Sequence, residues 1–495
     1  MATAATDRSK ESTLLLRLNG QGTLYQQTYR ALRAAIPKLR PGARLPPSRH
    51  LASELGVSRN TIVAAYGQLV TEGYLVGQVG AGTYLAPELP RLAVPESSSG
   101  RQPARAALPH ISALARRIVH QDPSPILQQP GLLYDFRYGL PTVGDFPHVL
   151  WRRLLVRRAR VASVASLGYA PPEGHAPLRE ALADYLRRGR GVVCAPDQIL
   201  VVSGSQQALD IAARVLLDPG ATVVLEEPHY EGARQVFDAA GARLVAVPID
   251  ASGLDVATLP PRARRARLVY VTPSHQFPTG AVMPLDRRLR LLQWARKAGA
   301  YVLEDDYDSE YRYDVRPVEA VQGLDRDGRV IYISTFSKVL FPSLRLGYLV
   351  LPRPLIRAFV AAKHITDRHT TTLLQATLGD FIREGHFARH LRHSRARNAR
   401  RRRALLEAIE EHLGDLLEVS GAAAGVHVLL WLRGFRVDDL PGLIRRARGA
   451  GVGIYPVTPY YLRPPRRAGL LLGYASMSET EIQAGIRQLA AILRS

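Results

Sequence analysis

From residue 131 onward, short apolar runs alternate with amphipathic stretches. Seven runs rich in Val, Ile and Leu are predicted strands: 199–203, 222–226, 244–248, 268–272, 301–305, 330–334 and 346–351. Helical periodicity lies between several of these runs, as at 206–217 and 287–298. Strands that alternate with helices predict an α/β domain with a mostly parallel central sheet.

The first 86 residues show a mainly helical pattern instead. Apolar positions at helical spacing run through 24–39, and two short helices are expected at 49–55 and 59–71. Ser48 and Ser58 are the expected N-caps of these two short helices. The tight connection between them predicts a helix-turn-helix.

A small β-hairpin, or wing, is expected after the last of these helices. Segments 73–76 and 81–85 flank the glycine-containing turn 77–80. The sequence therefore predicts a winged helix-turn-helix in the first 86 residues. A helical module without a nucleic-acid role is the alternative at this point.

Residues 87–130 separate the two patterns. Eight prolines and the stretch Ser97-Ser98-Ser99-Gly100 are typical of a linker with little core-forming content. The expected organisation is therefore a helix-turn-helix domain over 1–86, a linker over 87–130 and an α/β domain over 131–495.

Composition narrows the class of protein. The chain has 495 residues with 46% hydrophobic content, which excludes a disordered protein. A single cysteine, Cys194, excludes an internal disulfide framework and a cysteine-based zinc site, and we expect no metal. Neither a signal peptide nor a membrane helix is recognisable, so a cytoplasmic location is expected.

The net charge is +23, with +6 in residues 1–86 and +15 in residues 131–495. Such an excess favours contact with a polyanion. Since only five of the 66 basic residues are lysines, an arginine-rich coding bias explains the excess equally well.

The start of the second short helix carries candidate DNA contacts. Arg59, Asn60 and Thr61 lie where a helix in the major groove reaches base edges and phosphates. The strings 45–49 (LPPSR), 55–61 (LGVSRNT) and 80–84 (GAGTY) resemble the winged helix of GntR-type bacterial regulators. This resemblance implies that DNA is contacted by Arg44, Ser48, Arg49, Ser58, Arg59, Asn60, Thr61, Gly80, Gly82 and Thr83.

Lys338 directly follows the predicted strand 330–334, among small polar residues. An amine in that position can form a Schiff base with an aldehyde cofactor. A surface lysine is the alternative for this residue taken alone.

Three companions strengthen the case for Lys338. Ser205 and Gln206 open a helix after strand 199–203, where free N–H groups suit a phosphate. Asp305 ends strand 301–305, where a carboxylate would face a ligand crevice and a pyridine nitrogen. The guanidinium of Arg345 can donate two parallel hydrogen bonds to a phosphate. Each of these features taken alone has an ordinary alternative. The serine and glutamine could belong to a capped turn, Asp305 to a solvated acidic turn, and Arg345 could be a chance arginine.

The order and spacing of these residues resemble the fold-type I pyridoxal-phosphate enzymes, the aspartate aminotransferase fold, over about 131–495. The resemblance implies that Lys338 forms the Schiff base and that Asp305 pairs with the pyridine nitrogen. It also implies that Tyr307 bonds the ring hydroxyl and that Tyr230 stacks on the ring. The implied phosphate ligands are Ser205, Gln206, Thr335 and Arg345. Tyr169 resembles a tyrosine that crosses to the neighbouring subunit, which implies a head-to-tail, domain-swapped homodimer.

Two departures from that family are visible. Phe277 stands where an asparagine would touch the ring hydroxyl, and His275 or Gln276 is the candidate replacement. The strand at 470–475 has leucine where aminotransferases carry an arginine for the substrate carboxylate. Arg463, Arg466 and Arg467 are candidate substitutes, and the sequence does not choose among them.

The whole chain resembles MocR-type regulators, a GntR subfamily, through the strings 46–49 (PPSR), 274–278 (SHQFP) and 305–311 (DDYDSEY). The resemblance implies a regulator that binds double-stranded DNA near its own gene and holds pyridoxal phosphate on Lys338. A small amine, an amino acid or the cofactor itself is the expected effector. One alternative is an active aminotransferase with a DNA-binding module, and another is a DNA-binding protein whose large domain is only a dimer scaffold. Physiological turnover is not expected, although residual aminotransferase activity stays open.

Overall fold

The computed structural model describes residues 16–78, 81–87, 111–119, 121, 131–162, 168–313 and 319–495. The chain divides into two compact units, Met1–Leu108 and Pro109–Ser495. Each unit has its own hydrophobic core and is described by itself.

The first unit is a three-helix module followed by a hairpin. Its elements are α1 (Leu24–Ala35), α2 (Ser48–Leu55), α3 (Arg59–Thr71), β1 (Leu75–Gln78) and β2 (Gly82–Leu85). The strands pair antiparallel, with Leu75 opposite Leu85 and Gln78 opposite Gly82. The predicted helix-turn-helix and wing are therefore confirmed, with the first wing strand two residues later than expected.

The turn between α2 and α3 follows from its capping residues. Gly56 ends α2 in the left-handed conformation at φ +64°, which glycine adopts without steric cost. The Ser58 side chain accepts a hydrogen bond from the Thr61 backbone N–H, as the sequence predicts. The expected N-cap at Ser48 is wrong. The Pro47 carbonyl already accepts from the amides of His50 and Leu51, so α2 begins one residue earlier.

The core of the first unit lies under the inner face of α3. Ile62, Ala65, Tyr66 and Leu69 are buried there, at the spacing of one helix face. The Tyr66 hydroxyl donates to the Pro46 carbonyl at 2.9 Å, which satisfies both buried polar groups and fixes the approach to α2.

A seven-stranded sheet forms the centre of the second unit. Its strands are β4 (Ile199–Val202), β5 (Thr222–Glu227), β6 (Arg243–Pro248), β7 (Leu268–Val271), β8 (Tyr301–Asp306), β9 (Val330–Thr335) and β10 (Gly347–Val350). The order is β4-β10-β9-β8-β7-β5-β6, and only β10 runs antiparallel to its neighbours. All seven predicted strands and the mostly parallel arrangement are therefore confirmed.

Helices cover both faces of this sheet and join its strands, as parallel connections require. Those between its strands are α7 (Ser205–Leu216), α8 (Glu231–Ala239), α9 (Leu285–Ala298) and α10 (Val321–Leu324). Two others, α5 (His148–Arg160) and α6 (Ala176–Arg190), precede β4, and α11 (Ile356–Asp367), α12 (Thr372–Arg383) and α13 (His386–Leu413) follow β10. The predicted helices at 206–217 and 287–298 correspond to α7 and α9.

The predicted linker is not uniform. Helix α4 (Ala113–Ile118) lies within it and is attached to α8, because Arg117 Nε donates to the Ala239 carbonyl at 3.0 Å. Gln121 Nε2 donates to the Gln235 carbonyl of the same helix at 3.3 Å. Backbone and side-chain hydrogen bonding, which composition does not reveal, thus extends the second unit into this stretch.

A smaller subdomain follows α13. Its four-stranded sheet has the order β11 (Leu417–Ser420), β12 (His427–Leu432), β15 (Gly469–Gly473), β14 (Tyr455–Pro456). A short parallel pair joins β3 (Tyr134–Asp135) to β13 (Val452–Gly453). Helices α14 (Leu440–Gly449) and α15 (Glu479–Arg494) pack over them with the apolar face of α13.

Among the described residues, the helices are too short or too polar to cross a membrane. The same residues contain no group of three His, Cys, Asp or Glu side chains arranged to hold a metal ion.

Candidate functional site

The candidate site lies at the carboxyl ends of neighbouring strands. Strand β8 ends with Asp305 and Asp306, and β9 ends with Thr335 just before Lys338. Because β8 and β9 are parallel and paired, with Asp305 opposite Ile333, their carboxyl ends meet at one sheet edge. Ligands of open α/β sheets bind at such an edge.

The amine of Lys338 is held by the segment that precedes α5. Its Nζ donates to the Gly139 carbonyl at 2.8 Å. Gly139 has φ +79°, and a Cβ there would lie 2.8 Å from that Nζ, so a side chain would displace the lysine. Burial lowers the pKa of Lys338, while the carboxylates of Asp308 and Asp305 act in the opposite direction. A lysine with a lowered pKa supplies more of the neutral, nucleophilic amine.

Asp305 presents one free carboxylate oxygen inside the protein. Its Oδ2 accepts a hydrogen bond from the Tyr270 hydroxyl at 2.8 Å, whereas Oδ1 is buried without a partner. Burial raises the pKa of Asp305 to about 7. A buried acceptor without a partner is costly unless a donor approaches it, and a cationic N–H would both satisfy it and favour its charged form.

Tyr307 is joined to His275, and His275 to Asp308. The Tyr307 hydroxyl lies 3.0 Å from His275 Nδ1, which is 3.1 Å from both carboxylate oxygens of Asp308. Of the two candidates for the missing asparagine, His275 therefore contacts Tyr307. Gln276 has other partners, since it donates to the Pro228 carbonyl at 2.8 Å and accepts from the Thr279 hydroxyl at 2.6 Å.

Aromatic rings form the wall beside this group. Phe277 makes edge contacts with Tyr230 and Tyr307, with ring centroids 5.9 and 6.0 Å apart. Tyr230 is the N-cap residue of α8, and burial and the charge of Asp305 raise its pKa to about 12. The predicted stacking residue and the phenylalanine that replaces asparagine therefore lie in one wall.

A second cluster has the character of an oxyanion site. The Ser205 hydroxyl is buried without a partner at the first residue of α7, a twelve-residue helix whose N-terminal amides favour an anion. Gly204 precedes it at φ +94°, and a Cβ there would lie 3.3 Å from Arg345 Nη2. Arg345 Nη2 also donates to the Ser203 carbonyl at 2.6 Å.

The remaining predicted oxyanion ligands differ in exposure. Thr335 is buried, and its hydroxyl donates to Ser337 Oγ at 3.0 Å. Gln206 is exposed, with a long hydrogen bond of 3.4 Å to the Gly232 carbonyl. Arg345 itself has φ +50°, a strained conformation for a residue other than glycine. Strain of this kind persists where the surrounding structure fixes the residue.

Tyr169 is not brought to this cluster within the described part of the chain. Its side chain is 85% exposed, and its ring lies against His369 and under the guanidinium of Arg368. The role that the resemblance implies for Tyr169 requires a second subunit and stays a prediction.

The three arginines considered for a carboxylate also lie apart from Lys338. Arg467 pairs with Glu418 at 2.5 Å and lies over the Trp431 ring. Arg463 and Arg466 line a cleft of about 1220 Å³ whose lining includes neither Lys338 nor Asp305. The strand itself is apolar, because Leu470, Leu471 and Leu472 are completely buried.

Several contributors carried little signal in the sequence. Tyr270 lies inside an apolar strand, and its role follows only from the register of β7 beside β8. Gly139 lies about 200 residues from Lys338 along the chain. Asp308 lies within the string 305–311 that was noted in the sequence. Its contact with His275, however, could not be predicted from that string.

The predicted DNA contacts gather at the start of α3 and at the wing. Ser58, Arg59 and Asn60 are exposed there, and Arg59 Nε donates to the Ser48 hydroxyl at 3.5 Å. Arg49 is exposed on α2, whereas Thr61 and Thr83 are half-buried. Arg44 reaches the wing, since a Cβ on Gly82 would lie 3.2 Å from its Nε. Gly80 lies outside the described residues.

Two family models match the chain. The model described as bacterial regulatory proteins, gntR family, matches residues 24–85. The model described as aminotransferase class I and II matches residues 145–484.

Curated relatives match both units together. The probable rhizopine catabolism regulatory protein MocR of Rhizobium meliloti is 40% identical over 96% of this chain and 95% of its own length. The HTH-type transcriptional regulator TauR of Rhodobacter capsulatus is 33% identical, over 97% and 99%. The pyridoxine biosynthesis regulator PdxR of Corynebacterium glutamicum is 30% identical, over 90% of each.

Solved structures match the second unit. The α-aminoadipate aminotransferase LysN of Thermus thermophilus, complexed with N-(5'-phosphopyridoxyl)-L-leucine, is 32% identical with a TM-score of 0.67. It covers 77% of this chain and 95% of its own. The kynurenine aminotransferase of Pyrococcus horikoshii is 30% identical with a TM-score of 0.69, covering 79% and 96%.

Proposed function

The chain belongs to the MocR type of GntR-family transcriptional regulators, and from that premise we propose that it is a DNA-binding regulator controlled through pyridoxal phosphate held on Lys338. The aminotransferase class I and II family depends on this cofactor, and a gntR-family domain implies binding of DNA. The effector is a small amine, an amino acid or the cofactor itself.

The observation that carries the cofactor proposal is a matched pair of buried atoms without partners. Asp305 Oδ1 is an acceptor that suits a protonated pyridine nitrogen, and Ser205 Oγ is a donor at a helix N-terminus that suits a phosphate. Lys338 lies after the strand next to that of Asp305. The donor set therefore fits pyridoxal phosphate at both of its charged ends.

Each protein group has a distinct task in this proposal. Bound pyridoxal phosphate supplies an aldehyde carbon that condenses with amines, which is chemistry no side chain offers. Lys338 would provide the amine, and burial, which lowers its pKa, favours the neutral form. Asp305 would place a negative charge beside the pyridine nitrogen, and Tyr307, whose hydroxyl lies 3.0 Å from His275 Nδ1, would donate to the ring hydroxyl.

The proposed path from the cofactor to DNA runs along α8. Tyr230 caps this helix and belongs to the cofactor wall, while the far end of α8 accepts the hydrogen bond of Arg117 in the predicted linker. An effector that displaces Lys338 and moves Tyr230 would bias the attachment of α4. Only an effector with different affinity for the two states shifts them.

On the DNA side, we propose that the start of α3 enters the major groove. Arg59 and Asn60 are exposed there and offer the donors that read base edges. The wing residues Gly82 and Thr83 and the basic side chains of Arg44 and Arg49 are the proposed backbone contacts. A head-to-tail homodimer, with Tyr169 reaching the partner, would present two such helices to a two-part operator. The predicted location stays the cytoplasm.

Covalent retention of the cofactor tests the first half of this proposal. Protein purified with pyridoxal phosphate and reduced with borohydride should carry the added mass on the peptide that contains Lys338. Lys338→Ala should lose that mass and the cofactor absorbance, and Lys297→Ala is the matched control that keeps both. A wild-type protein without cofactor absorbance would leave only the scaffold interpretation of the large domain.

Operator binding tests the second half. A gel-shift titration with DNA upstream of the protein's own gene, at one salt concentration, should give specific binding that changes when pyridoxal phosphate is added. Arg59→Ala should abolish the specific shift, whereas Arg33→Ala, whose guanidinium lies 5.6 Å from the Tyr74 ring, should keep it. Equal binding by both variants would refute the groove assignment.

Aminotransferase turnover is the second candidate function. The retained Lys338 and Asp305 favour it, as does a 33% identical relative described as 2-aminoadipate transaminase. The apolar strand at Leu470–472 opposes it. Sustained conversion of an amino acid with a keto acid by the wild type, lost in Lys338→Ala, would establish this activity.

A further inference from the structure

One face of α13 is strongly cationic and is not part of the cofactor site. Its arginines recur at helical spacing, and residues three, four and seven apart share a helix face. They are Arg392, Arg395, Arg402 and Arg403. Between them lie Ala396 and Ala399, whose small side chains leave a groove of about 540 Å³. We call this concavity, with Arg312 and Glu407 in its lining, the arginine groove.

Arg312 lines the arginine groove and is nearly inaccessible to solvent. It is 5% exposed, and its Nη2 donates to the Ser274 carbonyl. Its Nε and Nη1 are buried without partners. Burial lowers the pKa of Arg312, and the positive charge of Arg190 acts in the same direction. A buried guanidinium with two orphaned donors is costly unless an anion satisfies it.

Two of the four arginines on the helix, Arg395 and Arg402, are held by contacts with neighbouring segments. Arg395 Nε donates to the Glu310 carbonyl at 2.9 Å. Arg402 Nε donates to the Ala422 carbonyl, and its guanidinium lies 5.4 Å from the Tyr313 ring centroid. Anchored guanidinium groups lose less conformational entropy when they bind a ligand.

The charge balance within the groove is one-sided. Five arginines and a single carboxylate, the exposed Glu407, line it. Behind Arg312, the carboxylates of Asp306 and Asp308 partly offset its charge, but Asp306 is paired with Arg190 at 2.7 Å and Asp308 with His275 at 3.1 Å. The groove therefore keeps a net positive charge.

We infer that the arginine groove binds a small oxyanion of the phosphate class. A phosphoryl group offers several acceptor oxygens to guanidinium forks, more than one carboxylate can. The volume lies within the range of small-ligand pockets. Arg312 is only 5% exposed. A small anion that enters the groove can therefore reach it more easily than the convex phosphate backbone of a DNA duplex can.

Occupation of the groove is coupled to the cofactor site through one peptide group. Arg312 holds the carbonyl of Ser274, and the next residue is His275, which contacts Tyr307. A phosphate bound to Arg312 would compete with the Ser274 carbonyl for the guanidinium and weaken their hydrogen bond. The groove is thus connected to the cofactor site by a route that does not include Lys338.

Isothermal titration with inorganic pyrophosphate tests the inference. The protein is full-length and saturated with pyridoxal phosphate, so that its phosphate site is filled. The expected result is one saturable site per chain in the wild type. Arg403→Gln and Arg392→Gln should each weaken binding by about tenfold, the effect of losing one charge-assisted hydrogen bond. Arg296→Gln, which changes an arginine that is also exposed but lies outside the groove, should bind as the wild type does.

Three results would overturn the inference. One is the absence of saturable binding. The second is equal affinity in all four proteins, which would place pyrophosphate elsewhere in the chain. The third is a loss of operator affinity in Arg403→Gln without any pyrophosphate site, which would assign the groove to nucleic acid. Arg312→Lys should also weaken pyrophosphate binding. If this variant fails to fold, Arg403→Gln and Arg392→Gln still test the inference.

Discussion

Replacing Asp305 with asparagine isolates the charge beneath the proposed pyridine nitrogen. Asparagine keeps the shape of the side chain and can still accept the hydrogen bond from Tyr270. It removes the negative charge from the oxygen that has no partner in the protein. A hydrogen bond to a charged group contributes about 1.5–3 kcal/mol, so cofactor affinity should fall about 10- to 150-fold.

The assay uses pyridoxamine phosphate, which cannot condense with Lys338 and therefore reports the non-covalent contacts alone. Equilibrium dialysis of the cofactor-free protein gives the dissociation constants of the wild type and of Asp305→Asn. Glu226→Gln is the matched control. Glu226 is an equally buried carboxyl with a pKa of about 7, and its Oε1, like Asp305 Oδ1, has no partner. Its Oε2 is bonded to Thr272 and Gln276, and it is not one of the residues proposed to contact the cofactor.

The pH dependence of cofactor affinity provides a second test of this prediction. Since burial raises the pKa of Asp305 to about 7, its carboxyl group is mostly protonated at pH 6 and mostly ionised at pH 8 in the cofactor-free protein. The advantage of the wild type over Asp305→Asn should therefore grow across this interval. Equal affinities of the two proteins, or an equal loss in Glu226→Gln, would refute the reasoning.

Three further predictions concern the two units separately. Tyr66→Phe leaves the buried Pro46 carbonyl without its donor, so calorimetry should show the DNA-binding unit destabilised by about 2 kcal/mol; an unchanged transition would contradict this. Gly204→Ala places a methyl group 3.3 Å from Arg345 Nη2 and should weaken pyridoxamine phosphate binding about tenfold. Gly220→Ala, also at positive φ but in open space, should leave that affinity unchanged. In the cofactor-free protein, folding raises the pKa of Asp305 from 3.8 to about 7, so the stability it contributes is lost as the pH rises through 7. The melting temperature of Asp305→Asn relative to wild type should therefore increase from pH 6 to pH 8, and a constant difference would argue against a raised pKa.

The sequence predicted the architecture well because local signals and tertiary packing agree there. The seven strands are short runs of Val, Ile and Leu, which only a doubly covered sheet can bury. Capping at Ser58 and Gly56 is similarly local. Ser48 failed as an N-cap because a neighbouring proline carbonyl already began the helix, and a serine at a helix start does not reveal which residue holds the first turn.

The candidate site was predictable only where a motif carried it. Lys338, Asp305 and Ser205 each stand at the end of a strand or the start of a helix, so their positions follow from the strand pattern. Tyr270 and Gly139 come to them through sheet register and a long-range turn, which leave no local mark. The choice between His275 and Gln276 depended on side-chain direction, and neighbouring residues in one loop differ in that respect without any change in composition.

Helix α4 is a small feature with a dynamic consequence. It buries none of its residues and is fastened to α8 by the hydrogen bond of Arg117. A segment with so little buried surface opens locally at low free-energy cost, and its amide hydrogens exchange with solvent long before the sheet unfolds. If the proposed path along α8 is correct, the exchange rate at 113–118 should change with the state of Tyr230 at the other end of that helix. This can be measured without knowing the operator.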